Sequence, residues 1–529
     1  MKKNKLCGLV GLITVTLAFS GCSSFAATRT VPTPNLTPSL IISVTPTPTF
    51  DPLLSYLTPE NRANGCQARE TATSVPLPTS SDIGDYHHTV IDEPGIYARW
   101  FVGLGPNVDT AQWSAARAFV DDFVNAPERQ IDKLGMILEF VPHHDARDTI
   151  SIEIQSGNGP DVVGPVGWMD ARPLPDDTVY PLIWKDLAPM VKTSHYDLSE
   201  FDPALLAMSH QEDQLVGLPF ALYPAALEWN AALFEKAGLQ APPAKVGERY
   251  TLPDGTQADW DWETLAKVAQ LLTLDSNGRN ATQPGFDTAH IIQYGFSWGH
   301  ENNPALIASY WQAGSLLASG KVKGSYQAVI PAAWQAAWAW TSSGMHGPQP
   351  FITTDSSSFE NGKAAMTIET TRYLSSFGKV KTFQFGVLPA YHGQVSRRLD
   401  METLRMWAGS KVASGAFLVL TSLIDQGSHK LFVECNDLAP AFDAVPVRVS
   451  EQQAFVNFRS RQFPWVKNWD TLLGAIKDPQ TPAGEDKMPN IAAVWDRLDA
   501  FGARLAARDL DLLTEEAALV HDLNALFNK

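Results

Sequence analysis

Apolar and polar positions switch between two periods along most of this chain. Ile96 to Val102 reads as a strand that stops at Gly103-Leu104-Gly105-Pro106. Ala111 to Val124 then takes a helical period, apolar at Ala115, Ala116, Phe119, Val120 and Phe123. Met136 to Val141 is a second strand. Asp161-Val162-Val163, short and β-branched, is a third, after Gly157-Asn158-Gly159-Pro160. Farther on, Tyr294-Gly295-Phe296 reads as a strand. Strand–helix alternation of this kind predicts an α/β protein with parallel strands covered by helices. In such sheets ligands sit beyond the carboxyl ends of the strands, so the loops after Val102 and Val163 are the first candidates. Trp334 and Trp338, four apart in Ala-rich sequence, read as a core stripe.

Ahead of Ile96 the pattern breaks down. Lys2, Lys3 and Lys5 precede an apolar run from Leu6 to Phe19 and then Ser20-Gly21-Cys22, the order of a secretory signal over residues 1–21. At about 14 residues the run falls short of the ~20 that span a bilayer. Residues 22–94 include Thr30-Val31-Pro32-Thr33-Pro34, Thr45-Pro46-Thr47-Pro48-Thr49 and Pro76 to Ser81. Such a Thr/Pro-rich stretch cannot bury enough apolar surface to fold, and a disordered, extended spacer is expected.

Composition narrows the function. With 529 residues the chain fits two or three domains. A formal net charge of -17 disfavours a nucleic-acid partner, because phosphates are repelled. The 16 Trp can pack cores or stack on sugar rings, and number alone does not choose. Of the four cysteines, Cys7 and Cys22 fall in the targeting segment. Cys66 and Cys435 are left as a disulfide between arm and body, or as two free thiols. No cysteine or histidine spacing suits a structural zinc. Asp275-Ser276-Asn277-Gly278-Arg279-Asn280 lacks the remaining ligands of a calcium loop and reads as a turn. Paired His143-His144 and His87-His88 would face opposite ways on a strand. Phosphate loop, HExxH and nucleophile-elbow patterns are absent, so no cofactor is expected.

Four segments carry a resemblance. Gly217-Leu218-Pro219-Phe220-Ala221-Leu222-Tyr223-Pro224, running through Trp229-Asn230 to Gly238-Leu239, resembles the first interlobe crossing of extracellular solute-binding proteins of the maltose-binding type. Trp262-Glu263-Thr264-Leu265 with Leu271-Leu272-Thr273, Phe359-Glu360-Asn361-Gly362-Lys363-Ala364-Ala365-Met366, and Phe385-Gly386-Val387-Leu388-Pro389 follow in that family's order. Leu17-Ala18-Phe19-Ser20-Gly21-Cys22 resembles a lipobox, with Phe19 where Leu is usual, and implies lipidation at Cys22. The resemblance implies a two-lobed periplasmic-binding-protein fold (type II) with the ligand cleft between lobes. Lobe 1 would be 95–224 plus the return 391–450, and lobe 2 would be 225–390 plus C-terminal helices at 451–529. It also implies a monomeric, non-enzymatic component of an ABC transporter, held to the bacterial membrane by its lipid and delivering a small molecule, a sugar above all, to permease subunits.

Candidate ligand contacts follow from position and chemistry. Trp168 and Asp170 lie in the loop after the third strand, and Tyr223 lies in the crossing. Trp298 and Glu301 sit in the loop after Tyr294-Gly295-Phe296, where an aromatic face beside a carboxylate suits a sugar. Trp311 is farther along, on a helix. Glu369, Arg372 and Tyr373 follow the Met366 strand. Relatives often carry a Trp near Arg372, so an acidic sugar or sugar phosphate comes into view, as does a simple Arg372–Glu369 pair. Glu402 lies on a re-entry strand. Two alternatives stay open: a secreted hydrolase using paired carboxylates, and a binder of an anion, peptide or chelate on the same fold.

Overall fold

A computed structural model describes residues 87–89, 96–104, most of 116–125, 134–166, 183–313, 317–432, 443–477 and 490–528, apart from 212, 301, 323–324 and 509. The signal, most of the spacer and the cysteines Cys22, Cys66 and Cys435 therefore lie outside the described residues, but His87–Thr89, expected within the disordered spacer, form a strand that pairs antiparallel with residues 137–139. Among the described residues no helix is long and apolar enough to cross a membrane.

The strands that position the site are β1 (His87–Thr89), β2 (Ile96–Leu104), β3 (Leu134–Pro142), β4 (Val162–Val163), β5 (Leu218–Asn230), β6 (Ile291–Ser297), β7 (Ala364–Thr370), β8 (Phe383–Gly386), β9 (Leu399–Met406) and β10 (Val445–Pro446). They join in the order β1-β3-β2-β4-β9-β5-β7-β6. β2 runs parallel to β3 and β4, and β6 runs parallel to β7. Around them β9 and β5 are antiparallel insertions. The expected first strand is thus present and continues to Leu104. His143 and His144, by contrast, open a helix, α1 (His143–Gln155), and not a strand.

β5 is the pivot. Its first half pairs with β9 and β10, with Tyr223 opposite Asp400, Ala221 opposite Glu402 and Leu222 opposite Val445. Its second half pairs with β7 and β8, from Ala225 opposite Thr370 to Asn230 opposite Phe383. The change of partner falls between Pro224 and Ala225. Every residue of β5 is buried, as expected of a strand covered on both faces.

Two hydrophobic cores flank the pivot. The first gathers Trp100, Val102, Met136, Leu138, Phe220, Leu222 and Leu404. A smaller cluster around Phe101, Ile150, Val163 and Trp184 covers the opposite face of β2, because successive side chains of a strand point to opposite sides. The second core gathers Leu227, Trp229, Phe296, Trp334, Trp338, Met366 and Ile368. Helix α2 (Trp262–Leu272) shows how local sequence feeds it. Asp261 caps the helix by accepting from the Thr264 amide at 2.8 Å, and Trp262, Leu265, Val268, Ala269 and Leu272 form its buried stripe. Trp334 and Trp338 lie on α3 (Ala332–His346), both fully buried, as the core-stripe expectation requires.

The C-terminal segment divides between the two cores. Helix α4 (Val449–Gln462) and the segment up to Ile476, expected in lobe 2, pack into the first core through Phe455, Phe458, Phe463, Trp469 and Leu472. There Phe383 and Phe385 of β8 meet Phe463 and Trp469, at 5.7 and 5.4 Å between ring centroids. Only α5 (Ile491–Ala507) and α6 (Leu512–Phe527) join the second core, through Leu498, Phe501, Leu519 and Phe527. Aromatic positions in 451–476 satisfy either core equally well, so the sequence pattern alone did not separate them.

Candidate functional site

Polar side chains gather where β5 changes partners. Tyr223 is the last aromatic of the first half, and its cross-strand neighbour is Asp400. Two residues along on the same face is Ala221, opposite Glu402. A register shift between Glu402 and Thr403 locally bends β9 there. Glu402 is buried, and its Oε2 accepts from the Val166 amide at 3.2 Å, in the loop that follows β4. β7 ends at Thr370 and is followed by a tight turn, Thr371–Tyr373, that brings Arg372 across. The Arg372 guanidinium stands over the Tyr223 ring at 4.2 Å, and its Nη1 lies 3.7 Å from Glu402 Oε1. About a third of the Arg372 side chain is exposed, so this is the wet end of the cluster. Burial raises the Tyr223 hydroxyl far above the usual phenol range. Glu402, Asp443 and Asp400 push the same way, against Arg372. Tyr223 therefore keeps its proton and can donate.

A second ionic pair adjoins the first. Arg398, almost wholly buried, donates from Nη2 to both oxygens of Asp400 at 3.1 and 3.3 Å, and stacks on Tyr310 at 4.6 Å. The arrangement thus sets two guanidinium–carboxylate pairs and a phenol at the junction of the two halves.

Beyond Arg372, Tyr373 stacks on the His300 ring at 4.5 Å, nearly parallel. Glu369 is fully buried; its Oε1 accepts the His300 backbone N–H and lies 3.3 Å from the ring Nδ1. The other ring nitrogen is 3.5 Å from Glu360, which itself pairs with Lys379 at 2.6 Å. Gly299 makes this approach possible. Its φ is +60°, and a Cβ there would come within 1.7 Å of Glu369 Oε1.

The family model described as bacterial extracellular solute-binding protein matches residues 137–445, more than half of the chain. The chain belongs to that family. Its work as a solute-binding protein accordingly lies outside the cytoplasm, with a small molecule as partner. No curated protein matches its sequence. Solved structures agree on the fold. UspC of Mycobacterium tuberculosis (16% identity) covers 82% of this chain and 99% of its own, with a TM-score of 0.58. For the ABC substrate-binding protein Lmo0181 of Listeria monocytogenes, in complex with cycloalternan, identity is 13%, coverage 82% and 99%, and TM-score 0.57. The maltose/maltodextrin-binding domain MalE of Bdellovibrio bacteriovorus, bound to maltotriose, gives 15%, 82% and 98%, and 0.51. The solute-binding protein thus has the two-lobed periplasmic-binding-protein fold.

Within that fold the expected contacts separate. Tyr223, Arg372 and Glu402 come together at the crossing. Arg372 reaches Glu402, while the Glu369 carboxylate meets His300, on which the Tyr373 ring also stacks. Trp298 is corrected to a core residue. It is buried, stacks parallel to Tyr310 at 6.0 Å, meets Phe296 edge-on at 4.9 Å, and donates from Nε1 to Thr341 at 3.2 Å. Trp311 is corrected likewise, lying flat on Trp262 at 4.5 Å with Tyr391 against its edge. Both indoles are buried, and each lies flat on one protein ring. Trp168, Asp170 and Glu301 lie outside the described residues. The Asp275 turn is a turn: its carboxylate accepts from the amides of Asn277, Arg279 and Asp287 at 2.8 to 3.0 Å. Among the described residues no group of three or more His, Cys, Asp or Glu side chains is placed to hold a metal ion.

Sequence reasoning named neither Arg398 nor Asp400 among the contacts. Asp400 was within reach, since it alternates with Glu402 on one strand face. Arg398 carried no such signal.

Proposed function

We propose that this protein captures a carbohydrate outside the cytoplasm and delivers it to the permease of an ABC importer without altering it chemically. The observation that carries the reading is the junction of Tyr223, Arg372 and Glu402 at the Pro224/Ala225 change of partner. A solute bound there touches both halves of the molecule, favours the closed arrangement and shifts the population toward it. Its chemistry suits a polyol. Each guanidinium faces a carboxylate, so donors and acceptors alternate with little net charge to attract an anion. Several structures of the same fold, with cycloalternan, maltotriose or mannobiose bound, support a sugar as the solute.

The remaining architecture belongs to the same proposal: signal at 1–21, lipidated Cys22, a spacer ending ahead of β1, and a monomeric two-lobed body. The lobes are 95–224 with 391–450 and 225–390 with 451–529, the segment up to Ile476 packing on β8 through Phe463 and Trp469. The test uses the chain from residue 80 onward, which keeps β1, screened by thermal shift against neutral sugars, sugar acids and phosphates, peptides and polyamines. At ~100-fold excess over Kd, a bound solute stabilises by about 2.7 kcal/mol. A stabilising neutral sugar recovered intact after overnight incubation is the expected result. Recovery of cleaved sugar would mean a hydrolase, and stabilisation only by anions or peptides would keep the fold and overturn the substrate.

A further inference from the structure

The turn that carries Arg372 is held from behind by a carboxylate from a distant part of the chain. Asp443 lies just ahead of β10, which pairs with Ala221 and Leu222 in the first half of β5. Ser375 lies two residues past the Thr371–Tyr373 turn, which follows β7, a partner of the second half of β5. The Asp443 carboxylate ties these two together. Its Oδ2 accepts the Ser375 backbone N–H at 2.8 Å, and its Oδ1 accepts the Ser375 hydroxyl at 2.8 Å. Oδ1 also accepts from Arg459 Nη2 at 2.8 Å.

Arg459, on α4, has no exposed side-chain surface. Its Nη1 donates to Gln462 at 2.9 Å, and its guanidinium stands 5.3 Å from the Phe455 ring. Burial pulls its pKa down and Asp443 opposes the fall. A charge so fully desolvated ties its partner firmly, because separating them would strand both. Asp443 is thus anchored on one side and grips the Arg372 turn on the other, across the point where β5 changes partners.

We propose that Asp443 is a positioning residue for the solute site. Anchored on Arg459, it fixes the 371–375 turn through Ser375 and so sets where the Arg372 guanidinium stands on Tyr223 and against Glu402. The link to binding rests on the carbohydrate reading above; the strut itself does not.

Two measurements test it. Ser375→Ala removes one donor and leaves the Asp443–Arg459 pair intact, whereas Asp443→Asn keeps an acceptor and removes the charge. In hydrogen exchange without solute, Asp443→Asn is expected to speed exchange of amides 371–376 about tenfold while β5 stays protected. Ser375→Ala should give a smaller rise confined to the same amides, and it carries this arm if Asp443→Asn does not fold. Unchanged exchange at 371–376, or an equal rise throughout the body, overturns the proposal. The second measurement is calorimetric affinity for maltotriose and mannotriose in wild type, Ser375→Ala, Arg372→Ala and the double variant. Ser375→Ala is expected to weaken binding about 3- to 10-fold, and to add nothing once Arg372 is gone. Fully additive losses would mean that Ser375 and Asp443 act independently of Arg372. If the wild type binds neither trisaccharide, that choice of sugar fails on its own account and the exchange measurement decides the strut.

Discussion

At the scale of single residues, burial and partnership separate side chains that look alike in sequence. Trp298 and Arg372 both stood out as ligand contacts, yet one is sealed between Tyr310 and Phe296 and the other has a third of its surface in water. Their alanine variants should therefore fail in opposite ways. Trp298→Ala is expected to cost about 3–5 kcal/mol in urea denaturation, from lost burial and the cavity left behind. Arg372→Ala should cost less stability than Trp298→Ala, since a third of the Arg372 side chain is already in water, but should weaken sugar binding in calorimetry. A large loss of stability for Arg372→Ala with binding intact would count against the site as drawn.

At the scale of elements, close contacts set what each position tolerates. Gly295 on β6 lies so near α2 that a Cβ would stand 2.0 Å from the Ala269 carbonyl oxygen. Because the atoms it would meet are all Ala269 backbone, no side-chain motion relieves the clash. Gly295→Ala is expected to lower the melting temperature sharply or to prevent folding, whereas the same change at Gly362, with open space around it, should be mild apart from its positive φ. Helix α1 offers a pH-dependent contact. Burial, aided by Glu139, pushes Glu153 from an ordinary 4.5 up to about 7, against the pull of Arg99, whose Nη2 is 3.0 Å away. Between those values the native state holds a proton that the unfolded chain has released. Glu153 therefore supports folding best at low pH, and that support falls as pH rises from 4.5 toward about 7. Melting curves across this window should show the fall in the wild type and its loss in Glu153→Gln; identical slopes would remove Glu153 from the account.

At the scale of the whole molecule, a strand shared between two halves makes bending at Pro224/Ala225 the natural motion. Solute spanning the junction should pull the halves together, so small-angle scattering of the body is expected to show a smaller radius of gyration with a stabilising sugar than without. An Arg372→Ala/Glu402→Ala double variant should lose that contraction while keeping its sugar-free dimensions. Contraction that survives the double variant would place the cross-junction contact elsewhere.

The order of strands and helices, and with it the fold class, was legible in the sequence, because periodicity and turn chemistry are local. The crossing at Gly217 to Asn230 was legible only through its resemblance to the solute-binding family. Which aromatics line a core and which face a ligand was not legible. Trp298 and Trp311 are covered by Tyr310, Phe296, Trp262 and Tyr391, contacts that only packing creates. Likewise Arg372 has Glu369 three residues away in sequence, yet pairs with Glu402, 30 residues on, because β9 and β7 flank the same strand. The Asp443 strut joins positions 68 residues apart, and α4 enters the same core through Phe455 and Phe458. Local pattern sets what an element is. Its side-chain partners depend on elements brought alongside by the tertiary fold, and no local property of the sequence records them.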